Sequence, residues 1–120
     1  MEEKEKLLQE VMAKRGFVLD FHRIMIEEDP EFMKCYEALV SLVSTRQRTL
    51  EKKIKEFIFI GVLVALQADK SHIGKHIKRA VDHGATKKEI LEIFELIYPP
   101  CGTLRFMNGL KAFEEYFSGN

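Results

Sequence analysis

A chain of 120 residues, 46% hydrophobic and 32% charged, has the composition of one folded domain and not of a disordered segment. Its 19 Lys and Arg balance its 19 Asp and Glu, so no net field draws it to nucleic acid or to an anionic membrane. It is long enough to bury a core without disulfides or metal. Cys35 and Cys101 lie far apart, form no CxxC, and read as free thiols of a reducing compartment.

The opening MEEKEKLLQE is charged and acidic, unlike the basic-then-apolar pattern of a signal peptide. Leu7, Leu8, Val11 and Met12 make a narrow apolar stripe that predicts a helix over 2–14, ended by Gly16. Phe17, Phe21 and Ile24 have helical spacing and predict a second helix over 17–26. Asp29-Pro30 is a start signal, with Asp at the cap and Pro at the first helical position, where its missing N–H is not needed. The helix it opens carries Phe32, Tyr36, Leu39, Val40 and Val43, and polar Ser44–Arg48 reads as a connection.

Thr49 is placed to cap the next helix, which begins amphipathic at Leu50 and Ile54 and becomes apolar all round from Phe57 to Leu66. A helix apolar on every side lies in the middle of a bundle or at a subunit interface. The stretch FIFIGV could instead form a strand, but no second strand candidate exists to pair with it. Ten apolar residues are too few to cross a bilayer, so a soluble cytoplasmic protein is expected. Asp69 or Ser71 can cap the following helix, which carries His72, Ile73, His76, Ile77, Ala80 and Val81 and stops at Gly84. Thr86-Lys-Lys-Glu89 is a capping box. It opens a helix through Ile90, Ile93, Phe94 and Ile97 that Pro99-Pro100 should stop. A last helix runs from Cys101-Gly102-Thr103 through Leu104, Met107, Leu110, Phe113 and Phe117. The expected fold is a single all-α domain over 1–120, an antiparallel bundle of about six to seven helices.

Chemistry concentrates in QADKSHIGKH, residues 67–76. Asp69, His72 and His76 stand at i, i+3 and i+7, which places them on one helical face. Such a face can move protons, since histidine titrates near neutrality and a carboxylate can fix its tautomer. It could also hold a transition metal such as zinc, with Asp69, His72 and His76 as ligands. In the plainest reading Asp69 only caps the helix and the histidines are half-exposed beside Lys70 and Lys75. Glu56 stands at the edge of the apolar run, where burial disfavours the charged carboxylate, although pairing with Lys52 or Lys53 is the commoner fate of such a residue. Cys101 precedes a helix start, a position that favours thiolate, but a buried filler role is commoner. His22 and His83 carry weaker signals. Gly-rich phosphate loops, GxSxG, HExxH and zinc-finger spacings are absent.

Three stretches in order, KKIKEFIFIGVLVAL, SHIGKHIKRAVDHGATKKEILEI and YPPCGTLRFMNGLKAFEEYF, resemble the carboxymuconolactone decarboxylase family, which includes the alkylhydroperoxidase D branch. The resemblance covers about residues 30–118 and is most specific in the middle stretch, His76-x3-Ala80-x3-Gly84-Ala85-Thr86-x2-Glu89-Ile90. It implies an alkylhydroperoxidase D-like helical fold, homo-oligomers that are commonly trimers or hexamers, and a site close to a subunit interface. The peroxidase branch uses CxxC followed by His four residues after the second Cys. His76 takes that histidine position, and the two cysteine positions fall on Asp69 and His72. Thiol peroxidase chemistry is therefore not expected. Glu56 lies near the family's glutamate position, one residue out of strict register.

What remains resembles the decarboxylase side: cofactor-free acid–base chemistry on a small organic acid. His76 would be general acid or base, His72 its partner or a substrate ligand, and Asp69 or Glu56 the orienting carboxylate. Lys75, Lys78, Arg79 or Arg105 would supply a cation for the substrate carboxylate, with Lys75 and Arg105 foremost. A metal-binding member and a non-catalytic oligomeric protein of the same fold are the alternatives.

Overall fold

Glycine and capping chemistry account for most of the helix ends. The computed structural model describes residues 2–119. Among them there are seven α-helices and no strand. Helix α1 (Glu3–Arg15) stops at Gly16, whose φ of +80° lies in the left-handed region that glycine enters without steric penalty. Helix α2 (Asp20–Glu28) begins three residues after the expected Phe17. The ring of His22 sets its start by accepting the Leu19 backbone N–H at Nδ1, 2.9 Å away. Helix α3 (Pro30–Val40) opens as Asp29-Pro30 predicts, with the Asp29 carboxylate accepting from the Phe32 N–H at 3.1 Å. A turn of π-helix, Ser41–Thr45, follows where α-helix was expected through Val43. The Ser41 hydroxyl accepts from the Lys14 ammonium at 3.2 Å in this turn.

Helix α4 (Lys52–Ala65) has Glu51, not Thr49, at its N-cap position, with no capping bond from the Glu51 side chain. Leu50 is 47% exposed, so no burial draws the helix back toward Thr49. FIFIGV is helical. Helix α5 (Lys70–Asp82) has Asp69 as its cap, and helix α6 (Lys87–Cys101) opens with the Thr86–Glu89 capping box in full. Pro99 and Pro100 do not stop α6; both lie inside it. Their fixed φ suits the last turn, and the carbonyls they deprive belong to exposed Glu95 and Leu96, where water can serve them. The chain leaves the helix only at Gly102, φ +87°. Helix α7 (Thr103–Ser118) closes the chain.

The chain divides into two compact units. Met1–Arg48 holds α1 to α3 around Leu7, Val11, Ile26 and Met33. Thr49–Asn120 holds α4 to α7 around Ile60, Val64, Ile73, Ile77, Ile90 and Phe94. In this second unit α4 packs on α5, α6 and α7, and α7 on α5 and α6. A Cβ built on Gly109 would come within 3.1 Å of Val64, so glycine is what lets α7 lie this close to α4. The apolar run of α4 is buried on one side only, by Ile60, Gly61 and Val64; Ile58 and Val62 on its other side are about half exposed.

Candidate active site

The packing of α4 on α5 brings a carboxylate, an imidazole and a guanidinium together. Glu56, on α4, points at the face of α5 that carries His76 and Arg79. Its Oε1 lies 2.7 Å from Nδ1 of His76, and its Oε2 accepts from Nε of Arg79 at 3.2 Å. The side chains of Glu56, His76 and Arg79 are 3%, 12% and 17% exposed, so the carboxylate is buried while its two partners reach toward solvent. Burying a carboxylate is unfavourable unless it is paired, and both oxygens are paired here. The expected pairing of Glu56 with Lys52 or Lys53 gives way to this one; Lys53 instead reaches Glu89 at 3.4 Å.

A carboxylate only accepts hydrogen bonds, so Nδ1 of His76 carries the hydrogen in this pair. In the neutral ring the lone pair then sits on Nε2. The imidazole is also held by its ring neighbours: Phe59 of α4 at 5.2 Å between centroids, and His72, one turn back on α5, at 5.3 Å. Such an arrangement can take a proton at one ring nitrogen while a buried anion steadies the other.

The carboxymuconolactone decarboxylase family profile matches residues 30–115. The chain belongs to this family. It is also similar to the uncharacterized protein MJ1511 of Methanocaldococcus jannaschii, with 27% identity over 88 residues, 72% of this chain and 78% of that protein.

In this carboxymuconolactone decarboxylase-like chain the sequence-derived candidates separate by role. Glu56 and His76 meet directly, and His72 stands beside His76. Asp69 turns to its own helix start: its carboxylate accepts from the backbone N–H of Ser71 at 3.2 Å and from the Ser71 hydroxyl. Those bonds, the hydroxyl first, hold its carboxyl below the usual aspartate value of 3.8. The alternative reading takes Asp69, His72 and His76 as one ligand set; among the described residues no group of three or more His, Cys, Asp and Glu that could hold a metal ion is found. Asp69 is committed to Ser71 and His76 to Glu56. Arg105 donates Nε to the Ala65 carbonyl at 2.6 Å, at the end of α4. Lys75 is half-buried on α5, next to His76 in sequence.

Two members of the cluster went unread as such in the sequence. The sequence offers Arg79 as a cation for substrate, whereas the fold makes it a partner of Glu56. Phe59 was hidden inside an apolar run. The signal for Arg79 is its i+3 spacing from His76, which puts both on the strip of α5 that faces Glu56. The two cysteines stand apart from the cluster in sequence, Cys35 exposed on α3 and Cys101 at the end of α6.

Proposed function

We propose that the chain is a cofactor-free acid–base catalyst of decarboxylation type, acting on a small organic acid. The observation that carries this reading is the 2.7 Å contact between buried Glu56 and Nδ1 of His76. In such a reaction the bond from carbon to the carboxylate breaks, carbon dioxide departs, and the electron pair stays on carbon. His76, protonated, delivers its Nε2 proton to that carbon and is left neutral, with Nδ1–H still on Glu56. A proton from water restores it. Lys75, next to His76 in sequence, is the candidate cation to stabilise the charge that builds on carbon in the transition state. Thiol peroxidase chemistry is disfavoured because the positions it needs carry Asp69 and His72.

The test is carbon dioxide release from a panel of small lactone and keto acids by the purified chain. His76→Ala should lower the rate about 10²- to 10⁴-fold, the range for a general acid or base, and Glu56→Gln should follow it. Release that persists unchanged in both variants would sink the assignment.

The partner we propose is a second copy of the chain, in a homo-oligomer. A groove of about 440 Å³ runs between α4 and α6, lined by Ile54, Phe57, Ile58, Val62, Leu96 and neighbouring apolar residues. No charged side chain lines it. A contiguous exposed apolar patch of this kind marks an association surface.

A further inference from the structure

Arg79 sits on the far side of the carboxylate from the histidine. Its Nε is 3.2 Å from Oε2 of Glu56, whereas Nδ1 of His76 is 2.7 Å from Oε1. One carboxylate is thus pinned at both oxygens, from two positions three residues apart on the same helix. Without the second contact, a glutamate side chain rotates about its last torsion, which is broad and roughly two-fold. Rotation would present either oxygen, or neither, to the imidazole. Arg79 matches the task because guanidinium is planar, keeps its charge, and donates in a fixed direction.

We propose that Arg79 is a positioning residue: by holding Oε2 of Glu56 it aims Oε1 at Nδ1 of His76 and so fixes the tautomer of that histidine. It acts through Glu56 and is not the anchor for a substrate carboxylate. The inference rests on the acid–base reading for its consequence, since the fixed tautomer places the exchangeable lone pair on Nε2. The geometry on which it stands is independent of any substrate.

The experiment is long-range ¹H–¹⁵N NMR of the full chain with labelled histidine, at a pH where His76 is neutral. In the unaltered protein the Nδ1–H form should dominate. Arg79→Met should move the His76 signals toward the Nε2–H form that free histidine prefers, and Arg79→Lys should restore part of the difference. In turnover, Arg79→Met should lower kcat about 10²-fold, the size of effect that small misplacement produces, with KM nearly unchanged. A substrate anchor would instead raise KM and leave the tautomer alone. Nε2–H dominance in the unaltered protein overturns the proposal even if Arg79→Met fails to fold. So does a folded Arg79→Met protein that keeps the Nδ1–H form. The two readings fail separately. A tautomer change without any carbon dioxide release defeats the decarboxylation assignment alone. Release that needs His76, with a tautomer indifferent to Arg79, defeats the positioning role alone.

Discussion

Glu37 and Glu56 are both buried, and both meet an arginine, yet they read differently. Arg15 donates to Oε1 of Glu37 through Nε and a terminal nitrogen, at 3.2 and 2.8 Å, and lies over the Tyr36 ring. That contact is a two-pronged ion pair within the first unit, and its chemistry is structural. Glu56 divides its oxygens between a guanidinium and an imidazole, and the imidazole has a second ring nitrogen that can give or take a proton while the first stays on the carboxylate. Removing one partner of a buried pair strands the other charge. Arg15→Met should therefore destabilise the protein by about 3 kcal/mol in urea melts. Arg15→Met with Glu37→Leu should recover most of that loss, because an apolar pair needs no cation. A single variant as stable as the parent would show that Glu37 finds solvent or another partner.

At the scale of the helix, capping chemistry was readable and chain-breaking chemistry was less so. Thr86 and Glu89 exchange bonds across the first turn of α6, at 2.9 and 3.1 Å, as their spacing predicts. The Thr86 backbone N–H, helped by Lys53, holds the Glu89 carboxyl below the usual glutamate value of 4.5. A group whose folded value is depressed stabilises the fold above its unfolded value, and that stabilisation is lost as pH falls through the folded one. Glu89→Gln keeps an acceptor but loses the charge. The gap in thermal midpoint between parent and Glu89→Gln should be largest above the ordinary glutamate range and should close as pH falls beneath it. A gap that stays constant with pH would mean that the charge on Glu89 does not support α6. Pro99-Pro100 misled because a proline penalises a helix through what it deprives, and near an exposed helix end that loss is small.

For the whole molecule, the apolar surface of the second unit is the feature that asks for a partner. Ile58, Val62 and Leu96 are 53%, 49% and 73% exposed around the groove between α4 and α6. Copies of the chain meeting there would bury it. Light scattering on the purified protein should give a mass near three or six times 14.0 kDa. Ile58→Glu with Leu96→Glu should drop that mass toward a single chain while helical content is kept. A parent protein that is monomeric at micromolar concentration would remove this face as an oligomer contact. No helix among the described residues is long and apolar enough to cross a membrane.

Local rules carried the reading as far as they act locally. Apolar periodicity, the Asp29 and Thr86 caps and the glycine stops at Gly16 and Gly84 determined an all-helical chain and the helix ends at which those signals stand, because each signal operates within one or two turns. The same spacing placed His72 and His76 one turn apart on α5. Which carboxylate they would meet was another matter. Asp69 was the near neighbour in sequence, but its side chain is satisfied by Ser71 within the cap. Glu56 arrives from 20 residues away. Only the packing of α4 on α5 decides that encounter, since it depends on which faces the two helices bury against each other. The same holds for Arg79 and for the exposed side of α4: charge and hydrophobicity were plain in the sequence, but their partners are a property of three dimensions.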